Sequence, residues 1–445
     1  MTRGEPGRRG PAPKRVDVSV HESWLPREHA LYRPRHSGRQ RAARICAVVF
    51  FVAPLAGLLV FGPAPALENH PKAPFPSLSQ GWGFFTGLGP WAVDNLSFRE
   101  GAIKLADGIS QDVFGEPAQF GQGNQDVGPL PGGNAPVNSQ AIPPQPQQDQ
   151  TSDGYPEVIL GSGGWMYFGY DIQGKCEPAQ PLSTIVTNLN RLKSAIEASG
   201  RTFVLYVPPD KSSVEPQHLP PNYVGKSCAS AADKQFWQAM DGLGAIDPRQ
   251  AIDNASKQSG QPIYFPQDTH WDYDGGLIMT RELAERIQPG VSATWKVTKG
   301  PVRTAPSDLP PMIAEKGTNT SNIYHLAPNG GANRDQQRIN TDGFAPVTMH
   351  TANPVTGMIT TNTTMVGDSF TQYGAPLLAA TFANLTFTNI ENVASYTDDE
   401  ANRIVANNVV VFEVVERNLI SGVSPITSDA FVDAVTAAVA AHPLH

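Results

Sequence analysis

From residue 155 onward, helical faces alternate with short apolar runs, and this alternation restricts the fold more than any other feature of the chain. Residues 182–199 place Ile185, Val186, Leu189, Leu192 and Ile196 on one helical face and stop at Gly200; residues 202–207 follow as a continuous apolar strand ended by Pro208-Pro209. A strand without polar alternation is covered on both faces, as in a parallel sheet between helix layers. The pattern recurs as a helix around 233–243, a strand at 263–265, a helix at 274–287, a strand at 363–366, a helix at 375–382 and a strand at 385–390. A helix at 398–406, a strand at 408–415 and a helix at 428–442 end it. Residues 297–360, rich in Pro, Thr, Asn and Gly, interrupt the series and predict an irregular or hairpin-bearing excursion. The expectation for residues 155–445 is an α/β fold: one doubly wound, mostly parallel sheet with helices on both faces.

The residues ahead of that domain divide by charge. Residues 1–44 hold 11 Lys and Arg against 4 Asp and Glu, and the remainder holds 22 against 37. A globular part this acidic is a poor partner for nucleic acid, and none is expected. Behind Arg41 and Arg44 runs a stretch without charge, residues 45–67, which reads as one membrane span over 45–66. Its basic flank is N-terminal, so the tail 1–44 is expected in the cytoplasm and everything after the span outside the cell membrane. A secretory signal cut after Ala64-Pro65-Ala66 is the competing reading, against which stand the long leading region and the proline at the cut. The tail itself, with Arg8, Arg9, Lys14 and Arg15, needs no role beyond topology and contact with anionic lipid. Residues 67–115 include a helix-like stretch at 102–109 and are expected to pack on the domain that follows. Residues 116–154 contain 7 Pro, 6 Gly and 8 Gln and no Lys or Arg, a linker composition. Cys176 and Cys228 fall in the exported part, where an oxidising compartment permits a disulfide, and the pair is predicted.

In a doubly wound sheet the ligand site lies beyond the carboxyl ends of the strands. The residues there are Asp210 and Lys211, Asp268 and His270, Asp368 and Ser369, and Glu416 and Arg417. Gly367-Asp368-Ser369-Phe370 falls between a strand and a helix, which puts the Ser369 hydroxyl at a helix N-terminus with backbone N–H groups able to hold an oxyanion. Alone, Asp-Ser beside Gly is also a common helix cap. Asp268-Thr269-His270 supplies what a serine lacks: read as extended chain, it turns residues i and i+2 to one side, with His270 as general base and Asp268 as its orienting partner. Asp268, His270 and Asp272 could instead ligate a metal, but no second His or Cys cluster accompanies them, so neither metal nor cofactor is expected. Lys211 and Arg417 are candidates for positioning substrate or stabilising the oxyanion, or else for a turn and an ion pair. Trp271 and Tyr373 are candidates for stacking on sugar faces or for plain packing; Trp165 and Phe168 are assigned to the core.

Val158-Ile159-Leu160-Gly161 with Gly164-Trp165-Met166-Tyr167-Phe168, Pro208-Pro209-Asp210-Lys211, Asp268-Thr269-His270-Trp271, Gly367-Asp368-Ser369-Phe370 and Glu416-Arg417 occur in the order and spacing of the AlgX/AlgJ-like SGNH hydrolase-type family. Trp91, Asp94, Phe98 and Arg99 resemble that family's preceding segment. The resemblance implies an extracytoplasmic SGNH-like domain of permuted motif order, the Asp-x-His element before the Ser motif. It implies an O-acetyltransferase that moves acetyl groups onto hydroxyls of a cell-envelope or exported polysaccharide, with a multi-pass membrane acyltransferase as donor. By position it makes Ser369 the nucleophile, His270 the base and Asp268 its partner; the family's Gly and Asn oxyanion donors have no identifiable counterpart. An esterase using the same triad, and a non-catalytic glycan-binding or scaffold partner of a membrane acyltransferase, are the alternatives.

Overall fold

The computed structural model describes residues 75–77, 84, 91, 154–313, 315–335 and 346–444. They all belong to one of the two compact units into which the chain divides, that of Pro65–Asp94 and Arg99–His445. The expected tail 1–44, the span 45–66, the linker apart from Gly154, and residues 67–115 apart from 75–77, 84 and 91 lie outside the described residues. Among the described residues no helix is long and apolar enough to cross a membrane.

The strands are β1 (Val158–Leu160), β2 (Met166–Phe168), β3 (Thr202–Tyr206), β4 (Lys296–Pro306), β5 (Thr318–Ala327), β6 (Val347–His350), β7 (Thr363–Gly367), β8 (Asn384–Asn389) and β9 (Val409–Glu413). Five of them form the central sheet in the order β3-β9-β7-β8-β6. The first four pair in parallel, and β6 runs antiparallel on the edge beside β8. Strands β7 and β9 are buried at every residue, which is why they read as continuous apolar runs. Their alternate side chains feed two cores: Met365, Val409 and Val411 on one face, Val366, Val410 and Phe412 on the other.

The helices are α1 (Tyr170–Cys176), α2 (Leu182–Ala198), α3 (Lys211–Val214), α4 (Lys226–Leu243), α5 (Arg249–Ser259), α6 (Tyr273–Ile287), α7 (Ala375–Thr381), α8 (Thr397–Val405), α9 (Glu416–Ile420) and α10 (Asp429–Ala441). The apolar stripes of α2 (Ile185, Leu189, Leu192, Ile196) and α10 (Phe431, Val432, Val435, Val439) cover the Phe412 face. Those of α6 (Met279, Leu283) and α7 (Ala375, Leu378) cover the other. The excursion carries a two-stranded antiparallel ribbon, β4 with β5, interrupted by a register shift between Lys299 and Val302.

One expected strand is absent. Residues 263–265 turn back on themselves: the Asp272 N–H donates to the Ile263 carbonyl at 2.7 Å and the Phe265 N–H to that of His270 at 3.2 Å. Only an isolated antiparallel bridge, Tyr264 with Trp271, remains of the strand.

The predicted disulfide is present. Cys176 ends α1, Cys228 lies in the first turn of α4, and their Cα atoms stand 5.5 Å apart across a sequence separation of 52. A crosslink closing a loop of that length removes unfolded-chain entropy worth about 4 kcal/mol at 25 °C. Thermal unfolding with and without dithiothreitol checks this: the midpoint is expected to fall by several degrees on reduction, and an unchanged midpoint contradicts it.

Candidate active site

Strand β7 delivers Ser369 to the first position of a short 3-10 helix, Ser369–Tyr373. Each residue of the Gly-Asp-Ser corner has a distinct task. A Cβ at Gly367 would stand 2.5 Å from Thr371 Oγ1 and 2.9 Å from Glu413 Oε2, so only glycine fits. Buried Asp368 accepts the Phe370 N–H at 3.0 Å and the Val415 N–H at 2.7 Å, fastening the corner to the end of β9. Its own N–H donates to Glu413 Oε2 at 2.9 Å. Burial, then the facing Asp368 charge, pushes the Glu413 carboxyl well above the usual range, which favours one shared proton over two bare charges. The Asp368 side chain thus serves as the cap, which leaves the Ser369 hydroxyl for chemistry. As the first residue of its helix, Ser369 has no intrahelical acceptor for its N–H, which can serve a developing oxyanion.

His270 Nε2 lies 2.8 Å from Ser369 Oγ, and His270 Nδ1 lies 2.7 Å from Asp268 Oδ1. The three side chains therefore meet in the order expected of a nucleophile, its base and an orienting carboxylate. The route differs from the one expected, because Asp268 and His270 sit on a turn and not on extended chain. The turn folds the Asp268 carboxylate back so that Oδ1 also accepts the His270 backbone N–H at 3.1 Å. Burial raises the Asp268 carboxyl, but the hydrogen bond and charge of His270, with contacts from Asp308 and Asn319, outweigh it and hold the group at about 2.

Two residues of this site escaped the sequence reading. Asn319 on β5 donates to Asp268 Oδ2, and Ser307 Oγ orients the Asn319 amide from 2.7 Å. Asp308 donates its N–H to the same carboxylate oxygen at 3.2 Å and places its own carboxylate 3.2 Å from His270 Nδ1. Both come from the excursion, whose sequence has no period to announce a contact. Asp272, weighed as a metal ligand, instead caps α6, accepting the Asp274 N–H at 2.8 Å and the Gly275 N–H at 3.4 Å. Among the described residues, the group with metal-compatible spacing is Asp268, His270 and Asp308. Its Nδ1 already serves the hydrogen bond to Asp268, so the donor set fits a triad better than a metal centre.

Three candidates from the sequence turn inward. Lys211 is fully buried and spends its three protons on the carbonyls of Phe265 (3.1 Å), Pro266 (3.0 Å) and Asp268 (2.6 Å). It shapes the Asp268 turn from behind and does not reach toward a substrate. Burial pulls its ammonium down to about 8, against the pull of Asp308 and Asp268. Arg417 is fully buried too, with Nη1 3.5 Å from both Asp171 Oδ1 and Asp210 Oδ1, and its guanidinium over the rings of Phe168 and Phe370. Glu416 and Arg417 are not each other's partners; both belong to a buried network that includes Asp210 and Lys175. Trp271 has no exposed surface for a sugar, and its indole N–H donates to the Phe370 carbonyl at 3.1 Å, joining the His270 turn to the Ser369 helix.

Tyr373 stays at the surface of the site. It is half-buried, its ring centroid lies 5.6 Å from that of His270, and it borders a cavity of about 400 Å³ also lined by Tyr273, Arg303, Tyr324 and His325. Helix α6 comes this close because Gly276 has no side chain: a Cβ there would stand 2.4 Å from the Tyr373 carbonyl carbon.

Among curated proteins the chain is similar to a probable alginate O-acetylase AlgJ of Pseudomonas syringae pv. tomato, 27% identical over 139 residues, and to its namesake in Pseudomonas fluorescens, 25% identical over 141. Each match takes in 31% of this chain and 34% of the relative, so the chain spans about a third of the length of the curated relatives it matches. Among solved structures it is similar to the O-acetyltransferase domain of Pseudomonas putida AlgJ, at 17% identity and a TM-score of 0.41, covering 63% of this chain and 98% of that one. A model of the SGNH hydrolase-like domain of acetyltransferase AlgX matches residues 158–401. More than half of the 445 residues thus follow that model, from β1 to α8, and the chain belongs to the AlgX family of SGNH hydrolase-like domains.

Proposed function

We propose that this protein is an O-acetyltransferase that moves acetyl groups onto hydroxyls of a cell-envelope or exported polysaccharide through an acetyl-Ser369 intermediate. The observation that carries the reading is the continuous hydrogen-bonded line from Ser369 Oγ through His270 to Asp268. In the first half-reaction Ser369 Oγ attacks the acetyl carbonyl while His270 Nε2 takes its proton. The tetrahedral oxyanion leans on the Ser369 N–H, and the leaving group departs with the proton from His270. In the second half a sugar hydroxyl gives its proton to His270, attacks the acetyl-serine, and the imidazole returns the proton to Ser369. Membership of the AlgX family and relatives called probable alginate O-acetylases support a glycan acceptor. The cavity beside Tyr373 supports it too, since tyrosine rings with Arg and His at their edges suit a sugar's apolar face and polar rim. Residues 45–66 would anchor the chain in the membrane with the catalytic domain outside, where a multi-pass acyltransferase could supply the acetyl group.

The purified protein is tested with an activated aryl acetate, with and without oligosaccharide acceptors, following aryl release and acetylated sugar separately. Acetylated sugar formed at the expense of hydrolysis is the expected result. Aryl release alone, at every acceptor concentration, assigns the site to ester hydrolysis instead.

A further inference from the structure

His270 Nδ1 faces two carboxylates. Asp268 Oδ1 stands 2.7 Å away and Asp308 Oδ2 3.2 Å away. The Asp308 side chain is held at that place from the neighbouring residue: it accepts the Thr269 N–H at 3.0 and 3.2 Å and the Thr269 hydroxyl at 2.8 Å. The Asp308 N–H meanwhile donates to Asp268 Oδ2. The two aspartates thus come from different parts of the chain, the His270 turn and the stretch between β4 and β5, and converge on one ring nitrogen.

We infer that Asp308 is a second positioning carboxylate for His270, able to hold the Nδ1–H tautomer and steady the imidazolium when Asp268 cannot. One proton on Nδ1 cannot be given fully to both oxygens. Asp268 holds the shorter bond in the resting arrangement, and Asp308 adds its charge to the same ring face. Other groups that face His270 include Ser369 at Nε2, the Thr269 hydroxyl 3.2 Å from Nδ1, Tyr373 across the ring, and Lys211 behind the turn, bonded to the Asp268 carbonyl. Asp308 is thus a second carboxylate, besides Asp268, within ion-pair distance of the ring. A carboxylate so close favours the charged imidazole, so its removal lowers the pH at which the base becomes neutral and active. The inference rests on His270 acting as base to Ser369.

The test is cleavage of an aryl acetate by the full chain across pH in Asp308→Asn, Asp268→Asn and the double variant. Asp308→Asn is expected to lose about tenfold in kcat with little change in KM, and to move the acid limb of the profile to lower pH. Asp268→Asn is expected to keep measurable activity, about 10²-fold down where loss of a lone triad carboxylate costs about 10⁴-fold. The double variant is expected to fall to the level of Ser369→Ala, far below the product of the two single effects. Should Asp308→Asn fail to fold, Asp308→Glu, which keeps the charge but moves it off its place beside Nδ1, must shift the limb in the same direction. An unmoved acid limb, or a double variant no worse than Asp268→Asn, overturns the inference and leaves Asp308 as a bracket for the Thr269 N–H. Activity lost to a chelator and restored by a divalent metal overturns it as well, by making the three residues ligands. If Ser369→Ala keeps full activity, the acyl-serine reading itself falls, an outcome separate from these.

Discussion

Ser369→Ala is expected to abolish acetyl-ester cleavage and sugar acetylation together, by 10⁴-fold or more on the order seen when a triad nucleophile is removed. The size of the effect follows from the chemistry of the alcohol. A serine hydroxyl near neutral pH is almost entirely protonated and a poor nucleophile, and the only base within reach of Oγ among the described residues is His270, at 2.8 Å. Without Oγ there is no atom to carry the acetyl group between donor and sugar, so both half-reactions stop. The fold does not depend on that hydroxyl. The corner is held by the Asp368 carboxylate, by Gly367 and by Thr371, whose hydroxyl donates to Glu413 at 2.6 Å. The unfolding free energy should therefore stay within about 0.5 kcal/mol of the parent. Two readouts separate the outcomes: aryl release against time, and intact mass after brief exposure to the ester. The parent is expected to gain one acetyl group and the variant none. A variant that releases aryl alcohol at the parental rate removes Ser369 from the reaction, and a glycan-binding or scaffold role then becomes the better reading.

How far the sequence foretold this depended on which physical signal each feature carries. Strands β7 and β9 were legible because both faces are buried, which leaves a continuous apolar run; β7 was expected at 363–366 and stands at Thr363–Gly367. The same signal misled at 263–265, where three apolar residues cannot distinguish a strand from a tight turn packed under a core. The error was instructive, since the turn, not extended chain, brings Asp268 back to His270. That Ser369 and His270 meet was legible: a hydroxyl at a strand-to-helix corner and an Asp-x-His element after an apolar run stand 2.8 Å apart. Asp308 and Asn319 were not, because their approach to Asp268 is decided by how the excursion packs, and nothing local in 297–360 encodes it. Lys211 and Arg417 were read either as positioning groups for substrate or oxyanion or as parts of a turn and an ion pair, and no local signal announced that either charge is buried whole. Burial here is possible only because three carbonyls surround one and two aspartates flank the other, an arrangement assembled from segments far apart in the chain.

Lys175→Met is expected to cost about 3–5 kcal/mol of stability near pH 8 and less at pH 5. Lys175 on α1 has no exposed side-chain surface, and its ammonium lies 3.2 Å from Asp210, 2.9 Å from Asp233 and 3.0 Å from Glu416, with Ser213 Oγ at 2.8 Å. Burial alone would lower its pKa; the carboxylates of Glu416, Asp210, Asp233 and Asp171 outweigh that and raise it well above the ordinary value. The acids tell the complementary story. Burial pushes Glu416 up to about 7 and Asp210 to about 6, and in both cases Lys175 is the strongest influence restraining the rise. Taking the ammonium away lets both climb further, so the native state keeps protons that the unfolded chain gives up above about pH 4. Wherever the folded form binds more protons, stability falls as pH rises, and the window runs from about pH 4 to the raised native values. Urea unfolding of parent and variant at pH 5 and pH 8 measures this directly: the gap in unfolding free energy should widen with pH. A methionine that leaves stability unchanged, or a gap that narrows toward pH 8, would mean that the buried acids stay neutral without help from Lys175. The network under Phe370 would then be packing, with its charges already cancelled by protons.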